Sequence, residues 1–272
     1  MEDEHHDKRR DSLVIDLVYW HLDGDDECFQ FSYETIVGGR WKVIEKLGEG
    51  AMGAVYKVLD KNRKNFCAAM KVEDDLFEGG VLKLEVHVLQ QLQKMKGTVK
   101  LYDSGRRQNY CFMVMTLCDK DLMTLKREHG GAFSESTILR LAISTLFAIK
   151  QNGKLAIRKP RDGEQLFRGT PRYCSLNTHY RKEQGRVDDL WCWLYMIIEL
   201  HVGLPWRGLS YEKEISTAKE NCSQGNLLQG CPNEFGKIHD YLKTLKYEDR
   251  PDYYGLFSEV RYFKRLNTVN GG

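Results

Sequence analysis

Gly48, Gly50 and Gly53, with Val55 just beyond them, form a G-x-G-x-x-G-x-V pattern. Glycines at this spacing let a backbone come close to a phosphate, because no Cβ stands in the way. Two phosphate-binding designs share the pattern. In a dinucleotide site the glycines end a strand and open a helix, and an acid about twenty residues on meets a ribose. Glu73 stands twenty residues after Gly53. In the other design the glycines close a hairpin that covers the phosphates. Residues 54–59, Ala-Val-Tyr-Lys-Val-Leu, alternate and are β-prone, which favours the hairpin. A second candidate is Lys71, at the end of Ala68-Ala69-Met70-Lys71. An ammonium in a strand that reads as buried needs a counter-charge or a phosphate. Glu85 lies four residues after Val81 and three before Val88 in a helically spaced segment. That spacing puts it on the apolar stripe, where a lone carboxylate is costly, so a Lys71–Glu85 ion pair is expected.

The elements that would position these groups follow from periodicity. Trp41, Val43, Ile44 and Leu47 suggest a strand running into the glycines, residues 54–59 a second and 66–72 a third. Residues 79–92 read as a helix, and strands return at 99–102 and 110–117. From Ser134, a candidate N-cap, the chain turns helical. Residues 138–149 are strongly apolar, and 190–200 are apolar on nearly every side, as in a helix buried at the centre of a lobe. Further helices are expected at 211–220, 233–244 and 254–266. The fold class is therefore α+β, with a small antiparallel-sheet lobe carrying one helix (38–117) and a mainly helical lobe (118–266). Residues 1–37 read as an N-terminal extension, disordered over the first dozen, and 267–272 as a short tail.

Composition narrows the classes of function. With 272 residues and a net charge of +2, the chain lacks the basic balance of a general nucleic-acid binder. No apolar run is long enough for a membrane span, and no apolar segment directly follows the charged N-terminus as in a secretory signal. The 8 cysteines are scattered, with no C-x-x-C spacing, and fit reduced thiols in an intracellular protein.

The most specific signal lies further on. Arg168-Gly169-Thr170-Pro171-Arg172-Tyr173-Cys174-Ser175-Leu176-Asn177 is followed by Arg186-Val187-Asp188-Asp189-Leu190-Trp191, then Leu204-Pro205-Trp206 and Glu248-Asp249-Arg250-Pro251-Asp252-Tyr253. With the glycine loop and Ala-Ala-Met-Lys, these strings resemble a protein kinase of the casein kinase 1 group, where S-I-N replaces the more usual A-P-E. R-G-T-x-R-Y-x-S-L-N and D-D-L-W look most like the tau-tubulin kinase branch. The resemblance covers about residues 38–266 and implies a bilobal fold and a serine/threonine kinase lineage in the cytoplasm or nucleus. It implies an ATP site at Leu47, Gly48, Gly50, Gly53, Val55, Lys71, Glu85, Met115 and Leu117, with Met115 as gatekeeper and 116–118 as hinge. It also implies magnesium, a monomer, and a protein substrate or partner. Asp189 matches the aspartate that opens the central helix beneath the catalytic loop. Arg158, Lys159, Arg161, Arg168, Arg172, Arg181 and Lys182 make a basic cluster, either a solvated face or a site for acidic or phosphorylated protein.

One segment of that family is missing. A kinase needs H-R-D with its catalytic aspartate, an asparagine, and the D-F-G aspartate that holds magnesium. All belong between the helix ending near Ile149 and the activation segment. Here Lys150-Gln151-Asn152-Gly153-Lys154 runs into Leu155-Ala156-Ile157-Arg158-Lys159-Pro160-Arg161-Asp162-Gly163. Asp162 lies eight residues before Thr170 and has no asparagine at the H-R-D-x-x-x-x-N spacing, so it reads as a loop aspartate. No catalytic or metal-ligating residue is assigned. The chain reads as a kinase whose sequence omits an internal segment, inactive as written, through splicing or a faulty gene model; a pseudokinase scaffold is the alternative.

Overall fold

The computed structural model describes residues 31–50, 53–74, 82–94, 98–152, 159–167 and 169–269. The expectations for residues 1–30, for the helix start at 79–81, for Gly153, Lys154, Arg158 and Arg168, and for 270–272 lie outside the described residues. The chain divides into two units, Met1–Asp119 and Lys120–Gly272.

Alternation at period two builds the first unit. In β3 (Gly53–Asp60), Ala54, Tyr56 and Val58 are buried, while the residues between them are only partly covered. β4 (Cys67–Asp74) adds Ala68, Met70 and Val72 to the same core, and β6 (Tyr110–Met115) adds Phe112 and Val114. With β1 (Ile36–Val37), β2 (Trp41–Gly50) and β5 (Leu101–Arg106) they form one antiparallel sheet of order β1-β2-β3-β4-β6-β5. Phe31 and Val37, within the segment expected as an extension, pack into this core. The Phe31 ring meets Tyr110 edge-on at 5.0 Å. Arg40 clamps Asp60 through two hydrogen bonds, of 2.9 and 2.6 Å. That pairing outweighs burial and lowers the Asp60 carboxyl to about 2.

Two expectations are corrected in this unit. The strand expected at 99–102 is β5 at Leu101–Arg106, because pairing with β6 carries Asp103 and Ser104 into the ladder despite their low β propensity. The helix α1 (Leu82–Leu92) buries the stripe assigned to it only in part. Leu82 is buried and Leu89 and Leu92 are half-buried, but Val88 is 43% exposed.

The second unit is organised around α5 (Arg186–His201), whose Leu190, Trp193, Leu194, Ile197, Ile198 and Leu200 are buried. α5 stops where Gly203 adopts a φ of +90° and donates its N–H to Ile198 O. α2 (Leu122–Glu128) and α3 (Glu135–Asn152) pack on it. Ser134 caps α3 as expected, its Oγ accepting from the Thr137 N–H at 3.3 Å. The Trp193 indole donates to Ala142 O at 3.2 Å and to Thr145 Oγ1 at 3.1 Å, locking α3 to α5. The expected later helices are α6 (Glu212–Asn221), α8 (Glu234–Thr244) and α9 (Tyr253–Val269). α2, α4 (Leu176–His179) and α7 (Gln224–Leu227) are too short to show a period and were not expected.

Gly53 is required by packing. Its φ is +141°, and a Cβ there would sit 2.0 Å from Val72 O on β4. At Gly48 a Cβ would meet nothing within 4 Å. Gly53→Ala should therefore destabilise the sheet by about 1–3 kcal/mol, whereas Gly48→Ala should leave the urea midpoint almost unchanged. Equal midpoints for the two variants would contradict this assignment.

Candidate functional site

The glycine loop closes a hairpin. Gly48 pairs with Val55, Glu49 with Ala54 and Gly50 with Gly53, all antiparallel between β2 and β3. No helix follows the glycines, which overturns the dinucleotide reading. Glu73 has a different job from the ribose acid: its Oε2 accepts the N–H of Leu82, at the start of α1, at 2.9 Å. A carboxylate there satisfies an orphan helix donor and faces the positive end of the helix dipole.

Register places several expected residues on one sheet face. Val55 pairs with Lys71 and Lys71 with Met113, while Ala69 pairs with Met115. Val55, Ala69, Lys71, Met113 and Met115 thus lie opposite the buried core face. Leu47 sits at the strand irregularity between Lys46 and Gly48 and is 46% exposed. Leu117 lies beyond β6 and is half-buried. Before it, the Thr116 N–H donates to Lys100 O at 2.9 Å, so that part of the expected hinge backbone is occupied within the sheet.

Lys71 and Glu85 meet as expected, with Nζ to carboxylate distances of 2.7 and 2.8 Å. The reason differs from the one argued from spacing. Glu85 is 37% exposed, so it is not forced into pairing by deep burial; β4 and α1 simply bring the two together. Glu73 Oε1 also lies 3.2 Å from Lys71 Nζ, close enough for attraction but not aligned as a hydrogen bond. Burial lowers the Lys71 ammonium's pKa, but Glu85 and then Glu73 outweigh it and hold it above its ordinary value.

In the second unit the hub is a residue that sequence reasoning passed over. Asp188 Oδ1 accepts from Ser175 Oγ at 2.6 Å and from Asn177 Nδ2 at 3.0 Å, and Oδ2 accepts the Gly185 N–H at 2.7 Å. The Ser-Leu-Asn string is thereby tied to the start of α5. The available signal was a helix-start pattern, an acid three residues after a Gly N-cap. The Asp189 side chain, singled out instead, makes no polar contact among the described residues; only its backbone N–H is engaged, by Gly185 O. Burial first and the neighbouring Asp188 charge second push its carboxyl up to about 6. Lys219 was also missed. It is buried, donates to Pro171 O at 2.7 Å and Cys174 O at 2.6 Å, and is lowered to about 8 by burial.

The basic cluster is largely neutralised from within. Arg161 bonds Glu183 at 2.8 Å, and Arg181 holds both oxygens of Glu212 at 2.8 and 3.0 Å. Arg172 donates to Arg207 O at 2.7 Å and lies 3.6 Å from Glu199. Lys159 and Lys182 are exposed, as is Asp162. Of the five described members, three arginines are thus paired with carboxylates and two lysines face solvent.

A hairpin of glycines over a five-residue sheet face, a strand lysine paired to a helix glutamate, and a helical unit around one apolar helix define a protein-kinase-type fold. The protein kinase domain profile matches residues 41–151. A Caenorhabditis elegans protein named as a serine/threonine-protein kinase is 33% identical over 268 residues, covering 82% of this chain and 77% of that one. Casein kinase I homolog 2 of Schizosaccharomyces pombe is 27% identical, over 82% of this chain and 62% of its own length. A C. elegans protein named inactive tau-tubulin kinase is 29% identical, over 64% of this chain and 79% of its own. The chain belongs to the protein kinase superfamily, within the casein kinase 1 group.

The two lysine partners should behave differently. Glu85→Gln, at a partly exposed pair, should cost about 0.5 kcal/mol in urea unfolding. Glu73→Ala strips a buried acceptor from the Leu82 N–H and should cost about 1.5–3 kcal/mol. A larger loss for Glu85→Gln than for Glu73→Ala would reverse the ranking.

Proposed function

We propose that this chain is a shortened serine/threonine-kinase-family protein, resembling the casein kinase 1 and tau-tubulin kinases, that keeps the nucleotide-facing lobe but does not transfer phosphate. The observation that carries the reading is the short connection between α3 and the Thr170–Asn177 string. Residues 153–169 contain one aspartate and no asparagine, and that aspartate, Asp162, is an exposed loop residue. Transfer requires a base aspartate and two separate metal ligands, and one solvated carboxylate cannot serve as all three. Two further facts support an internal omission. The kinase profile stops at residue 151. The alignment with the nematode kinase runs over 268 positions, yet 82% of 272 residues is about 223, so some 45 positions have no counterpart here.

The sheet face fits the phosphates and adenine of ATP better than it fits magnesium. Gly48 has open space around it, and Lys71 is charged and held in place by Glu85. Leu47, Gly48, Gly50, Gly53 and Val55 would cover the nucleotide, Lys71 and Glu85 would orient its phosphates, and Met115 and Leu117 would border the base. Among the described residues no group of three His, Cys, Asp or Glu side chains is placed to hold a metal.

The kinase domain would span 38–266 of a monomer whose partner is a protein. Acidic or phosphorylated partners would have to displace Glu183 or Glu212 from the arginines, or use Lys159 and Lys182. A scaffold role has one observation in its favour, the similarity to a relative named as inactive.

The purified 272-residue chain, given magnesium-ATP and casein, should show no incorporation that Lys71→Met abolishes; Lys71-dependent turnover would overturn the proposal. Intact mass of the native protein separates the two origins. A match to 31.7 kDa makes the scaffold reading the one to pursue. A species several kilodaltons heavier, with peptides inserted near Lys150, marks this sequence as a shortened form of an active-type kinase.

A further inference from the structure

One stripe of α5 is left uncovered. Asp189, Cys192 and Met196, spaced three and four residues apart, line a hollow of about 680 Å³ within the second unit. Its walls are apolar: Leu122 and Met123 of α2, Ile149 of α3, and Met196 and Leu200 of α5. That size, with mostly hydrocarbon walls and a few polar groups, suits a small organic ligand.

The polar groups can be accounted for one by one. Asp121 is committed to capping α2, accepting from the Thr124 N–H at 2.8 Å and from Thr124 Oγ1 at 2.7 Å. Thr145 Oγ1 donates to Leu141 O at 2.7 Å and accepts from the Trp193 indole. Burial pushes the Tyr173 hydroxyl above its ordinary value, so it stays neutral. Burial, then the Asp189 charge, pushes the Cys192 thiol up to about 12, so it stays neutral. Asp188 is fully used by Ser175, Asn177 and Gly185. That leaves the carboxylate of Asp189, an exposed residue that lines the hollow. Among the described residues no lysine, arginine or histidine lines the hollow to answer it. Charge complementarity therefore points to a ligand that brings its own single positive charge on an apolar body.

We propose that this hollow binds a hydrophobic monoamine, its ammonium on the Asp189 carboxylate and its hydrocarbon body against Met123, Ile149 and Met196. The site does not depend on the kinase reading, since it uses only the geometry of α2, α3 and α5.

The test is calorimetric titration of the 272-residue chain at neutral pH with 2-(1-naphthyl)ethylamine and its neutral isostere 2-(1-naphthyl)ethanol. The amine should bind about tenfold more tightly, the ratio expected from one charge-assisted hydrogen bond. Asp189→Asn should erase that preference while leaving the alcohol's affinity in place, and Met196→Trp should abolish binding of both by filling the hollow. Equal affinities for amine and alcohol in the unmodified chain would overturn the proposal even if neither variant folds. So would failure of the amine to bind, or its undiminished binding to a folded Asp189→Asn or Met196→Trp.

Discussion

The helical unit depends on one constraint: α5 is apolar on nearly every side and must be covered almost all round. α3 meets it through the Trp193 indole, which bridges Ala142 and Thr145, and α2 sends the buried Lys126 ammonium to Glu199 O at 2.6 Å. α6, α8 and α9 contribute Ile215, Phe235, Ile238, Leu242, Leu256 and Val260 to the same cluster. A helix so surrounded also fixes its own first turn. Asp188 can therefore act as a rigid anchor, holding Ser175, Asn177 and Gly185 in one arrangement. The Ser-Leu-Asn string owes its position to a carboxylate that α5 cannot move.

The sheet unit obeys a different constraint. Period two sends one set of side chains into the core, so the other set is free to be polar and to face a ligand. Lys71 is where the two demands meet. Its neighbours Met70 and Val72 are buried on the core face, while Lys71 emerges opposite to meet Glu85 and Glu73. Gly53 shows that one residue type can answer a packing need and a ligand need together. Its missing Cβ is demanded by Val72 O, so the glycine by itself says nothing of a phosphate. Gly48 has open space around it, so packing does not explain its presence.

Much of this was legible in the residues. Alternation after Gly53 gave the hairpin, the apolar run at 190–200 gave the central helix, and Lys71 and Glu85 were paired correctly. The pairing was reached by an imperfect argument, since Val88 is exposed and the stripe used to place Glu85 is only partly buried. What stayed hidden was set by long-range contacts. β5 takes its polar residues from pairing with β6, which no local propensity reveals. Arg161, Arg172 and Arg181 read as a basic cluster because Glu183, Glu199 and Glu212 lie 22, 27 and 31 residues away. Asp188 and Asp189 are adjacent and alike in type, and only three-dimensional placement shows that one is saturated and the other unpartnered.

That last contrast bears on how an internal omission can leave a folded lobe. α3 is held by contacts to Ala142, Thr145 and Leu146, all upstream of Asn152, and α5 by Asp188 and the helices that follow. Neither set uses a side chain of the described residues 159–167. A shorter connection would leave the cores on either side in place, since loop length enters stability only weakly. The unanswered need falls on the stripe at Asp189, Cys192 and Met196, which the rest of α5's surroundings do not reach. A carboxylate pushed up to about 6 at the edge of an apolar hollow is what a partly uncovered central helix should show.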